Sequence, residues 1–314
     1  MGGSTGAAVS LRPLVGLYWR EQFGKKANLV KLLYKQSSDD EYRQNLQYLY
    51  ALLCENDEFI DEALSIYEEL KTVPRFELDA KLGLLRLYRQ LHKYSEIPSI
   101  IDEILKLPSQ KIDLSALILL YAEALEELKS PPIAVFNRLK QAHFMLVDDA
   151  ELSLRTQNYA IEHSLFDELL EMLYEDASIS LEDEEKAEYF LKIAQIAQNH
   201  MHTPMKAFDA LGSAFIYAPQ TPKLVEQIEA LAYSENNFTE LIAFYRNVIS
   251  NENLEAFHLL FLLKTAEVHA AKLNNATNAF ETCCEIIRRY PENIEVINLM
   301  EGISQAHSRF DLLI

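Results

Sequence analysis

The chain repeats itself at an interval of 72 residues, and that interval limits what it can fold into. Leu191-Lys192-Ile193-Ala194 is answered by Leu263-Lys264-Thr265-Ala266, Ala207-Phe208 by Ala279-Phe280, and Pro219 by Pro291. One step earlier, Ala122 meets Ala194, Pro132 meets Pro204 and Phe136 meets Phe208. Tyr94, Phe166, Phe238 and Phe310 form a four-member series at the same interval. A fixed period of this kind builds a stack of equivalent units, each too small to bury its apolar face alone.

Each period divides into two helical hairpins. Starts fall near residues 44, 78, 116, 150, 188, 222, 260 and 294, with spacings alternating between 34 and 38. In the hairpin from Glu188 to Pro219, Phe190, Leu191, Ile193, Ala194, Ile196 and Ala197 form an apolar stripe of helical period. His202-Thr203-Pro204 breaks the chain, and Pro204 suits the first turn of a second helix, where its missing N–H is unneeded. That helix buries Ala207, Phe208, Leu211 and Ala214 and stops at Pro219. Glycine supports the same reading: there are 8, where ordinary usage predicts about 22, and glycine is the residue of strand bulges and phosphate loops.

These residues resemble the tetratricopeptide repeat. From Gln44, Ala51, Ala63 and Tyr67 occupy the small and aromatic positions eight, twenty and twenty-four, with Pro74 one place early. From Leu78, Tyr88 and Tyr94 occupy eleven and seventeen. Ala207 with Pro219, and Ala279 with Pro291, fit twenty and thirty-two. The fourth-position tryptophan is absent, and Gln195 and Glu267 replace the small eighth residue. The likeness covers roughly residues 40 to 314. It implies an all-α, right-handed superhelical solenoid of stacked antiparallel hairpins. Residues 1–10 read as a flexible leader and 11–43 as a degenerate capping hairpin carrying Leu14, Leu17 and Trp19. The series at Phe310 stops inside a repeat, so a longer array or docking through the C-terminal helix is expected.

The resemblance also implies where partners bind, because the first helices of such hairpins line a concave groove. Transferred here, the groove positions are Tyr189, Lys192, Ile196 and Asn199, then Lys223, Glu226, Ala230 and Tyr233, then Phe261, Lys264, Val268 and Ala271. Arg86 and Arg89 fall in the same groove earlier. Lys192 and Lys264 share one repeat position and would receive a partner's carboxylates. Asn158 and Lys192 match the two-carboxylate clamp of chaperone-binding members only loosely.

Charge and cysteine narrow the function classes. Forty-eight acids against 29 bases give a net charge of −19, which repels phosphate backbones and anionic lipid. No nucleic-acid partner is expected, and no apolar run is long enough to span a membrane. Cys54, Cys283 and Cys284 build no disulfide framework; a reducing, cytoplasmic setting fits. The acidic clusters at Asp39-Asp40-Glu41, Asp57-Glu58, Asp61-Glu62 and 182–185 read as helix starts that offset the macrodipole, with Ser38 and Ser180 as caps. His200 and His202 lack a third ligand nearby, and Cys283-Cys284 read as core residues of a second helix. No phosphate loop, nucleophile elbow or metalloprotease motif occurs, so neither cofactor nor catalysis is expected. The leading expectation is a non-catalytic scaffold or adaptor that holds a protein or peptide. A subunit of a larger assembly, acting through its edges and C-terminal helix, is the alternative, and an α/α-toroid enzyme stands third.

Overall fold

The computed structural model describes residues 23–55, 59–108, 112–221 and 223–307. Among them are sixteen α-helices and no strand. They run as α1 (Phe23–Gln36), α2 (Asp40–Cys54), α3 (Ile60–Leu70), α4 (Glu77–Gln90), α5 (Ile97–Ile104), α6 (Leu114–Glu127), α7 (Pro132–Met145) and α8 (Ala150–Glu162). They continue as α9 (Phe166–Ile179), α10 (Asp183–Asn199), α11 (Pro204–Tyr217), α12 (Leu224–Glu235), α13 (Phe238–Ser250), α14 (Glu255–Ala271), α15 (Ala276–Arg289) and α16 (Glu295–His307). The leader, Leu14, Leu17 and Trp19 of the expected cap, Asp57-Glu58 and Phe310 lie outside the described residues.

The period is written into the helix boundaries. α10 and α14 begin and end 72 residues apart, as do α11 and α15, and α7 and α11. Ala122, Ala194 and Ala266 are buried, and so are Phe136, Phe208 and Phe280. Small residues let paired helices approach, while the phenyl rings fill the space beside them. The all-α repeat of stacked helix pairs implied by the tetratricopeptide resemblance is the architecture present.

By internal contacts the chain forms two compact units, residues 1–159 and 160–314. In the first, α2 to α6 share a core built on Tyr67, Leu70, Leu84, Leu87, Ile97 and Ile101. A second cluster joins α6, α7 and α8 through Ile118, Val135, Leu139 and Leu152. In the second unit, Phe215, Phe244, Tyr245 and Phe261 interlock with ring centroids 5.1–5.9 Å apart. Cys283 and Ile286 anchor a further cluster over α14, α15 and α16. Burial pushes the Cys283 thiol up to about 12, which keeps it protonated and inert; Cys284 is only half-buried.

The turns show how few glycines suffice. Six hairpins close their first helix with one left-handed residue: His92, Lys129, Ser164, His202, Asn236 and Asn274, with φ between 49° and 58°. His92, Ser164 and Asn236 are successive 72-residue equivalents. After four of them a backbone bond reaches back across the helix end: Lys93 N–H to Tyr88 O, Ser130 to Leu125, Leu165 to Ala160 and Asn237 to Ala232, at 2.8–3.0 Å. This is the usual left-handed helix stop, here without glycine. Scarce glycine therefore does not mean that left-handed backbone is scarce.

Two helix starts differ from expectation. Asp39, not Ser38, caps α2, its carboxylate accepting from Tyr42 N–H at 3.0 Å, because the helix begins one residue later. Ser180 ends α9 and holds Glu185 at 2.8 Å instead of capping α10. The acidic residues Asp40, Glu41, Asp61, Glu62 and 183–185 do occupy first turns.

Candidate binding groove

Within the second unit, α10 and α12 leave a groove between them, with α11 as its floor. α10 contributes Leu191, Ala194, Gln195 and Gln198; α12 contributes Gln227, Ala230, Leu231 and Ser234; Leu211 of α11 closes the base. Both sets follow the spacing i, i+3, i+4, i+7, the signature of a single helix face. The groove has a volume of about 420 Å³. Among the described residues, no charged side chain lines it.

Its chemistry is amide over hydrocarbon. Gln195, Gln198 and Gln227 are exposed, and none has a hydrogen-bond partner among the described residues. Ser234 Oγ turns back to Leu231 O at 2.9 Å. Each carboxamide offers both donors and an acceptor, set above Leu191, Leu211 and Leu231.

The amides of the groove depart from the repeat. One period before Gln198 and Gln227 stand Glu126 and Arg155, and those two form an ion pair at 3.1 Å in the first unit. Where charge joins α6 to α8, two unpaired amides face the space between α10 and α12. One period later the same positions are Ala270 and Leu299. Among these three copies the amide pair occurs once.

The residues assigned from the family pattern have different fates. Lys192 is exposed, its ammonium 5.3 Å from the half-buried Tyr189 ring. Asn199 is exposed at the end of α10. These three lie beside the groove stripe on the same helix. Lys223 stands just before α12 with φ 64°, at the helix start and not on its face. Tyr233 packs edge-on to Phe238 at 5.3 Å, with Lys272 Nζ 4.9 Å from its ring.

Four others are engaged within the fold. Lys264 binds Glu229 at 2.7 Å, and Glu229 also accepts from Tyr245 at 2.6 Å. Arg86 grips Glu55 through Nε at 3.1 Å and Nη2 at 2.6 Å, and Tyr67 donates to the same carboxylate. Arg89 holds Glu123 at 2.8 Å. Phe261 requires correction: it is 0% exposed, walled in by Phe215, Phe244 and Tyr245, and presents nothing to a partner.

The carboxylate trios recur. A third joins Tyr50 and Lys31 through Glu62. Tyr67 precedes Arg86 by 19 residues and Tyr245 precedes Lys264 by 19, so in these two the cation comes from the next hairpin, whereas Lys31 comes from the helix before Tyr50. Burial first, then the adjacent carboxylate, raises the Tyr67 and Tyr245 phenols far above their ordinary range. The trios tie neighbouring helix pairs, and the two phenols stay protonated at physiological pH.

No family model matches the chain, and no curated protein matches it. Among solved structures, it is similar to the C-terminal part of a TPR repeat-containing protein from Cytophaga hutchinsonii, at 14% identity, covering 81% of this chain and 99% of that one with a TM-score of 0.32. It is also similar to the human IFIT1 dimer with m7Gppp-AAAA, at 13% identity over 93% of this chain and 74% of that one, TM-score 0.28. A monomeric IFIT1 mutant bound to the same capped RNA gives 11% identity, 92% and 74% coverage, and a TM-score of 0.28. No helix among the described residues is long and apolar enough to cross a membrane.

Proposed function

We propose that the chain is a non-catalytic scaffold that holds an extended segment of a protein partner in the α10–α12 groove. The observation that carries this is the substitution of Gln198 and Gln227 for the ion pair Glu126–Arg155 at the same repeat positions. Amides with unused donors and acceptors suit a peptide backbone, which carries one of each per residue. Leu191, Leu211 and Leu231 would supply apolar contact beneath, and a neutral lining avoids the desolvation of charge on binding. Lys192 and Asn199, beside the stripe, would meet side chains that leave the groove.

The test is selection of binders from a displayed library of unstructured peptides, followed by titration against Ala230→Trp, which fills the groove. Loss of binding by about tenfold or more supports the assignment. Selected peptides that bind Ala230→Trp as tightly as the parent place the site elsewhere.

A further inference from the structure

The loop between α9 and α10 carries the most exposed large apolar side chain among the described residues. Leu181 is 90% exposed, and Ile179, two residues earlier, is 53% exposed. The loop is held in place. Ser180 N–H donates to Asp176 O at 3.0 Å, and its hydroxyl donates to Glu185 at 2.8 Å. A fixed loop that presents a leucine to water forgoes burial that a partner would restore.

The helices on either side of the loop, with α11, carry a ladder of rings. Tyr174 meets Phe190 edge-on at 6.0 Å, and Phe190 stacks on Tyr217 at 5.7 Å with 6° between planes. Both tyrosines are partly exposed. Lys186 links ladder and loop, with Nζ 5.2 Å from the Tyr217 ring and 3.2 Å from Asp183. Asp183 is thus satisfied, and Glu185 is engaged by Ser180. Glu182 and Glu184 are exposed and have no cation partner among the described residues.

We propose that this edge docks a basic amphipathic segment of a partner protein. Its apolar residues would pack on Leu181, Ile179 and the tyrosine edges, and its lysines or arginines would face Glu182 and Glu184. The sign follows from charge: two unpaired carboxylates flank the apolar residues on a chain of net charge −19, so an acidic segment is repelled and a basic one is steered in. None of the groove residues takes part, so this surface stands or falls separately from the groove.

The probe is a synthetic amphipathic peptide of about 18 residues, leucine on one face and lysine on the other, measured by fluorescence anisotropy. Two sister peptides replace every leucine by serine or every lysine by glutamate. Both sisters should bind at least about tenfold more weakly. On the protein, Ile179→Ser with Leu181→Ser should weaken the leucine–lysine peptide by a similar factor, and Glu182→Gln with Glu184→Gln should weaken it and flatten its salt dependence. Unchanged thermal unfolding of these surface variants checks that the fold survives. Equal binding of the serine sister, or full affinity in the Ile179→Ser, Leu181→Ser variant, reduces the interaction to bulk charge and overturns the proposal.

Discussion

The phenol of Tyr245 donates a 2.6 Å hydrogen bond to Glu229, and that carboxylate also receives Lys264 at 2.7 Å. Three helices, α12, α13 and α14, are joined through one side chain. Lys264 has a repeat counterpart in Lys192, but the residue 72 before Glu229 is Gln157, an amide without charge. The same lysine position is thus a structural tie in one copy and an exposed cation in the other.

Glu229→Ala leaves a buried phenol and an ammonium without their partner, and should lower stability by about 2–3 kcal/mol. Tyr245→Phe removes one neutral donor and should lower it by about 1 kcal/mol. Urea unfolding of the two variants measures both. Equal effects would mean that Glu229 contributes only through the tyrosine.

Gly83 sits in mid-helix in α4, where alanine ordinarily gains about 1 kcal/mol. A Cβ there would fall 2.6 Å from the Tyr67 ring, and that ring is fully buried with its hydroxyl tied to Glu55. Gly83→Ala should therefore destabilise, by about 1–3 kcal/mol. Gly302→Ala in α16, where a Cβ meets nothing within 4 Å, should stabilise. Thermal unfolding decides the two signs.

Lys129 holds φ 52° at the stop of α6, a conformation that strains a side chain by about 1–2 kcal/mol. Lys129→Gly relieves that strain, at some entropy cost in the unfolded chain, and should raise stability by up to about 1 kcal/mol. A lower melting temperature would mean that the lysine side chain contributes more than its backbone costs.

Much of the fold was legible from sequence because its signal is periodic. Ala194 and Phe208 recur with their neighbours, and periodic burial dictates such recurrence. Pro204 and Pro219 bracket α11 as backbone chemistry requires. The site was less legible, since the groove departs from the repeat. Gln195, Gln198 and Gln227 carry no motif, and their significance emerges only when Gln198 and Gln227 are set against the paired Glu126 and Arg155. Phe261 misled because one residue's rotation about a helix separates a groove position from the core. Arg86, Arg89 and Lys264 read as free cations because their carboxylate partners, Glu55, Glu123 and Glu229, are 31 to 35 residues away in sequence.

His269 is 5% exposed, and neither ring nitrogen has a hydrogen-bond partner. Burial first, then the nearby Arg246 charge, lowers its pKa. The unfolded chain takes up a proton near pH 6.5, whereas the folded chain does so only at lower pH. Stability should therefore fall as pH drops through that window, by up to about 1.4 kcal/mol per pH unit from this group. His269→Ala, which installs the residue found at its counterpart Ala197, should remove that part of the slope in urea titrations between about pH 7.5 and about pH 5. An identical slope in parent and variant would assign the acid sensitivity to other groups.

The most direct test of the binding account copies the earlier repeat into the later one. Gln198→Glu with Gln227→Arg recreates the pairing of Glu126 with Arg155 across the space between α10 and α12. The double variant should unfold within about 0.5 kcal/mol of the parent, as exposed ion pairs change stability little, yet bind groove-selected peptides at least about tenfold more weakly. A stably folded double variant that retains the parent's affinity would contradict the claim that the amide-lined gap holds the partner.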